Sequence, residues 1–286
     1  MSPAAASELA AHPKFTEAAR ALYKVKVEQS AYPVMAALSR DAGHYVAAAL
    51  AFSLHRDGGI TLSRLKAACA ETRLMSPGRA LSMLGYLLHV GVLSKVSERE
   101  GRKPAVYAPT QSFNLAWCGR MRHGLEAAAL LEPAAWTVVH LMDDPVFAIA
   151  FAQRRGEAML AGLASAVGHD LPFVRIFNHR LGGGRALALL LSRDAGEGAF
   201  AMASVPWAPA EIIQHCGISR MQAKRLFDDA LSEGLVTIEG DRLTWTAVSR
   251  QFILYSCAFE LIGLLCTAAA MLAEFSGKIW TRETSV

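Results

Sequence analysis

Two stretches of the chain carry apolar residues at the three- and four-residue spacing of a single helix face, each opened by a serine and closed by a glycine. In the first, Ser76-Pro77-Gly78-Arg79-Ala80 leads through Leu88 to Gly91-Val92-Leu93. In the second, Ser219-Arg220-Met221-Gln222-Ala223 leads through Leu231 to Gly234-Leu235-Val236. Serine favours the N-cap and glycine the stop, so each stretch predicts a helix followed by a short β-rich segment. In the first, Pro77 suits the opening helical position, where a missing N–H costs nothing. Its inner face is Ala80, Met83, Leu84, Leu87 and Leu88, which leaves Gly78, Arg79, Ser82, Gly85 and Tyr86 outside. The second helix has Ala223, Leu226, Phe227, Ala230 and Leu231 inside and Met221, Gln222, Arg225, Asp228 and Asp229 outside, flanked by Arg220 and Lys224.

The neighbouring segments follow the same order twice. A shorter helix precedes each stretch, Leu62 to Cys69 capped by Thr61 and Ala210 to Cys216 opened by Pro209. A hairpin follows each, Val92 to Val96 with Ala105 to Ala108, and Leu235 to Ile238 with Arg242 to Trp245. The first tip, Glu98 to Pro104, holds Arg99, Arg102 and Lys103, whereas the second, Glu239-Gly240-Asp241, is acidic. Long helices over Phe113 to Leu131 and Val248 to Phe275 come next. Upstream, helices are expected over Phe15 to Ser30, closed by Pro33, over Tyr45 to Leu54, and over Val146 to Val167. Gly182-Gly183-Gly184 reads as a hinge or tight turn, since no Lys-Ser/Thr follows to make a phosphate loop. Leu38-Ser39-Arg40-Asp41-Ala42-Gly43 recurs letter for letter at Leu191 to Gly196, and Cys69 and Cys216 each close the shorter helix. Such self-similarity points to two copies of one module, residues 1–142 and 143–286.

Composition narrows the function classes. With 286 residues, 53% of them hydrophobic and 19% charged, the chain can bury one large core or two smaller ones. A net charge of +4 and a pI near 8.9 permit a polyanionic partner without requiring one. The five Cys form no CxxC pair and the nine His lack ligand spacing, so neither a disulfide framework nor a zinc site is indicated, and a cytoplasmic location is expected. Met1 to Pro13 lacks the basic start and apolar core of a signal peptide. With no nucleophile elbow, dinucleotide loop or metal cluster in the sequence, we expect neither enzymatic activity nor a cofactor. Val248 to Phe275 is long enough to span a bilayer, but it contains Glu260, Ser256 and Thr267 and has no cationic cluster on either flank. It reads as a buried packing or dimerisation helix, with no membrane partner.

The order helix, helix, hairpin, long helix, carried by Thr61 to Ala108 and by Ala208 to Thr246, resembles the winged helix-turn-helix transcription regulators, most nearly the bacterial MarR-like type. The resemblance implies a mainly α fold with two small β-hairpin wings. Tandem winged helix-turn-helix domains, about residues 44–110 and 185–247, would be embedded in a helical framework with packing helices 113–131 and 248–275 and a pseudo-twofold internal repeat. In that family two subunits pair through terminal helices and present two winged domains to a DNA palindrome. Here both domains lie in one chain, as in a fused dimer, which leaves open a pseudo-dimeric monomer or a homodimer through the C-terminal helix. The family's acidic-basic wing signature is loosely echoed by Glu98-Arg99-Glu100-Gly101-Arg102 and is missing from the second wing.

The expected function is therefore a sequence-specific transcriptional regulator that binds double-stranded DNA, with unlike half-sites because the two outer faces differ. Arg79, Gln222 and Arg225 are candidates for base edges, since Arg pairs with guanine and Gln with adenine. Ser82 shares the outward face of the first helix. Arg99, Arg102, Lys103, Arg220 and Lys224 suit phosphates, and Ser219, like Ser76, serves as a cap first and a phosphate donor second. For each cation a solvated surface position is the competing reading. The competing function is a winged-helix protein-interaction scaffold that does not bind DNA specifically, which the small net charge and acidic second wing allow. A small-molecule effector in an apolar cleft between the copies is compatible with the family likeness, but no residue identifies one.

Overall fold

The structure, a computed structural model, describes residues 3–56, 59–72, 76, 78–97, 104–165, 171–194, 198–202 and 204–283. It is mainly helical with two small antiparallel sheets. The first half runs α1 (Pro3–Ala10), α2 (Phe15–Gln29), α3 (Pro33–Leu38), α4 (Ala42–His55), α5 (Leu62–Thr72), α6 (Arg79–His89), β1 (Leu93–Ser97), β2 (Val106–Pro109) and α7 (Gln111–Ala129). The second half runs α8 (Ala135–Leu141), α9 (Pro145–Ser165), a π-helical turn (Val174–Asn178), α10 (Gly183–Ser192), β3 (Val205–Pro206), α11 (Pro209–Cys216), α12 (Arg220–Ser232), β4 (Val236–Glu239), β5 (Arg242–Trp245) and α13 (Ala247–Glu283).

The same local hydrogen bonds close the hairpin region in both halves. The Val92 N–H donates to Leu87 O at 2.9 Å and the Leu235 N–H to Ala230 O at 2.8 Å. Gly91 and Gly234 make the intervening turns with φ of +74° and +62°, the left-handed region that glycine enters without steric cost. The Thr110 N–H then returns to Val92 O and the Thr246 N–H to Leu235 O. Each threonine Oγ1 accepts a backbone N–H of the long helix it opens, from Phe113 at 3.2 Å or Ser249 at 3.5 Å. A further segment pairs with each hairpin. Ile60 bridges Tyr107 of β2, and β3 pairs with β5 through Val205–Leu243 and Pro206–Arg242, giving the order β3-β5-β4. A single bridging residue and a two-residue strand are too short to leave an alternating pattern in the sequence.

Packing interleaves the halves. α2 lies on α10, α9 lies on α4, and α7 and α13 pack against each other, with α1 on α13 and α8 on α7. Every residue of α4 from Val46 to Ser53 and of α10 from Ala186 to Leu191 is buried, as expected of helices covered on all sides. One continuous buried cluster therefore serves both halves. The division at residue 142 follows the chain path and not the packing.

Where α2, α7 and α13 meet, Glu260 pairs with Lys26 at 2.5 Å, and the Lys26 ammonium also sits 4.5 Å from the centre of the Tyr23 ring. Burial alone would raise the Glu260 carboxyl, but Lys26 and then Arg120 outweigh it and hold it below its ordinary value. The segment Ala247–Glu274 of α13 is long and apolar enough to cross a membrane. Ile253, Cys257, Leu261, Leu264 and Ala268 along it are buried in this protein's own core.

Several sequence expectations change. The first serine cap is displaced: α6 begins at Arg79 behind Gly78, which makes no side-chain cap, and Ser76 contributes only a carbonyl, to the Arg79 N–H at 3.0 Å. Pro33 opens α3 in addition to separating it from α2. The triple glycine is a turn that runs straight into a helix, with Gly182 as its left-handed N-cap and Gly183 and Gly184 already inside α10. The two LSRDAG segments also differ in place. Asp41 caps α4 by accepting the His44 N–H at 3.0 Å, whereas Asp194 follows α10, is buried, and accepts the Ala201 N–H at 2.6 Å. Asp41 thus precedes the first helix of one path, and Asp194 follows that of the other.

A Cβ on Gly183 would lie 2.5 Å from Ile176 O and 2.8 Å from Phe177 O, both backbone atoms. We predict that Gly183→Ala lowers stability by about 3 kcal/mol, since backbone cannot turn aside as a flexible side chain can. A denaturant midpoint that falls with an unchanged slope would show it.

Candidate nucleic-acid interface

The start of α12 is fixed by a reciprocal cap. The Gln222 N–H donates to Ser219 Oγ at 3.2 Å, and the Ser219 N–H donates to Gln222 Oε1 at 2.8 Å. Ala223, Leu226, Phe227 and Ala230 then bury one stripe, and Arg220, Met221, Gln222, Lys224 and Arg225 are left exposed on the first two turns. Leu231, expected inside, is 42% exposed.

Ion pairs sort the charges of this helix. Lys224 holds Asp228 at 2.5 Å, Arg175 holds Glu233 at 2.5 Å, and Arg180 pairs with Asp229 while donating to Arg225 O at 3.2 Å. The acids of the later turns are thus matched by cations, two of them from the segment before α10. Arg175 and Arg180 carry no helical or motif signal that would link them to α12 from sequence. Among the described residues, Arg220 and Arg225 form no ion pair and leave their guanidinium groups to solvent. Gln222 differs. Reading adenine by two hydrogen bonds needs both its amide atoms, and Oε1 is engaged in the cap, so capping is its first role.

α6 presents less. Arg79 and Ser82 are exposed, and Gly85 has open space around it. Tyr86, expected outside, turns inward: its hydroxyl donates to Ala37 O at 2.9 Å and its ring meets His44 edge-on at 4.4 Å. Leu81, which the face assignment passed over, is 59% exposed beside them. Arg99, Arg102 and Lys103 lie outside the described residues.

The shorter helices hold both presenting helices in place. Cys69 and Cys216 are buried, and burial raises both thiols, that of Cys216 to about 11 despite the nearby Arg185. Arg185 of α10 donates to Cys216 O at 3.0 Å and to His215 O, so a cation meets the free carbonyls at the end of α11. His215 Nε2 lies 3.3 Å from Ser30 Oγ, which ties α11 to the end of α2 in the other half. Burial first, then Arg185 and Arg193, lower the imidazole's pKa and keep it neutral at pH 7.

No protein-family model, characterised protein or solved structure matches this chain.

Proposed function

We propose that the protein is a sequence-specific DNA-binding transcriptional regulator built from two unlike winged helix-turn-helix units in one chain, related by a pseudo-twofold internal repeat. The observation that carries this reading is the doubled path helix, short segment paired to the hairpin, helix, helix, hairpin, with the second helix of each pair exposing a cationic N-terminal part. A helix that enters the major groove by its N-terminal end needs that arrangement, with its opposite face buried on its own domain. α6 and α12 are then the reading helices. Arg79 and Arg225 reach base edges, Arg220 and Lys224 hold phosphates, and Ser82 and Ser219 stand beside the backbone.

The interleaved packing of α2, α4, α9 and α10 supports a monomer that is itself the equivalent of a dimer, with α7 and α13 as the central pair. In this reading α13 is a packing helix and the protein acts in the bacterial cytoplasm, without catalysis or cofactor. The acidic second hairpin and the capped Gln222 favour a second reading, in which the α12 unit serves protein interaction instead of DNA.

Fluorescence polarisation with genomic fragments at two salt concentrations separates the two. The regulator gives competitor-resistant binding that weakens with salt, and Arg220→Ala reduces the slope of log K against log salt by about 0.9, whereas Lys224→Ala reduces it less because Asp228 already pairs with that lysine. Binding that plain competitor DNA removes entirely would favour the scaffold.

A further inference from the structure

On the flank of α12, a groove of about 590 Å³ opens between α11, α12 and β4. That volume lies within the roughly 300–1,000 Å³ of small-molecule sites. Trp207 and Phe227, edge to face with ring centres 4.5 Å apart, make one wall, and Ile213, Leu231 and Ile238 complete an apolar lining. Leu231 is the telling residue, because its helical position belongs to the inner stripe and yet it stands 42% exposed beside this opening. Leaving such a surface in water costs about 25 cal/mol per Å², which an apolar occupant would recover.

The charges at the rim are uneven. Lys224 and Asp228 neutralise each other, and Arg220 is the groove's cation with no ion pair among the described residues. An apolar trough whose lining includes one guanidinium without an ion pair among the described residues complements a molecule with an apolar body and a single negative head. We propose that this groove binds a small amphiphilic monoanion, its chain or ring against Trp207, Phe227 and Leu231 and its carboxylate on Arg220. This goes beyond the DNA-reading proposal and does not depend on it.

Calorimetric titration of the full chain with dodecanoate, below its micelle concentration and without DNA, tests the site separately from the regulator reading. Saturable one-to-one binding is expected. Arg220→Ala should weaken it about tenfold by removing the charge-assisted contact, and dodecanol should bind the native chain no better than dodecanoate binds that variant. Ala210→Trp adds bulk to the groove from an exposed position outside the core, so it should abolish binding while circular dichroism and melting stay native. Several dodecanoates per chain, or binding that neither variant alters, would overturn the proposal. So would a dimer in sedimentation that Ala210→Trp breaks, since the groove would then belong to a second copy.

Discussion

The double variant Arg79→Ala/Arg225→Ala is expected to bind its preferred duplex about a thousandfold more weakly than the native chain. Each guanidinium is exposed and without an ion pair among the described residues, so each is available for a paired contact with a base edge. Such a contact discriminates by about 1–3 kcal/mol, and two on separate helices add, so a loss near 4 kcal/mol follows. Thermal stability should not move, because neither side chain supports the core. Polarisation titrations of the single and double variants would reveal the additivity. A double variant no weaker than one of the singles would mean that only one helix reads the duplex.

The second large effect lies at the centre of the fold. Lys26→Met removes the partner of Glu260 and is expected to cost about 2–3 kcal/mol at pH 7, less than the 3–5 typical of a deeply buried pair because the Glu260 side chain keeps 30% of its exposure. Since the native carboxyl is held below its ordinary value, the pair contributes fully above the unfolded-state value and loses its contribution as pH falls through the depressed one. The gap between native and variant should therefore be widest near neutrality and close in acid. Lys26→Met/Glu260→Leu should recover part of the loss, as the paired charges leave together while Arg120, the second cation beside Glu260, stays behind. Urea melts of the three proteins in a series from pH 7 down through the depressed value of Glu260 measure both effects, and a gap independent of pH would contradict the assignment.

Local signals were legible in the sequence, and tertiary consequences were not. The Ser219 cap, the left-handed stops at Gly91 and Gly234, and the buried stripes of α6 and α12 each depend on residues within a turn of one another. Tyr86 and Leu231 broke their stripes because neighbours distant in sequence decide their surroundings: Ala37 and His44 draw the tyrosine in, and the groove beside α11 leaves the leucine out. The identical LSRDAG segments took different places because an aspartate serves whichever N–H the local path offers, His44 in one and Ala201 in the other. The glycines at 182–184 read as a hinge or tight turn, and what requires two of them is packing that no pattern of residues announces: the Ile176 and Phe177 carbonyls of the preceding turn press on Gly183, and Ile218 of the distant helix pair presses on Gly182, whose φ is +78°. Likewise, no window of sequence links Arg175 and Arg180 to the acids of α12, or α2 to α10.

Selection of duplexes from a random library by the full-length protein, followed by sequencing, bears most directly on the idea that one polypeptide carries two different groove-reading helices. The account predicts a single enriched site composed of two dissimilar half-sites, with Arg79→Ala relaxing base preference in one and Arg225→Ala in the other. A perfect palindrome, or a library that emerges without any enriched sequence, would contradict it.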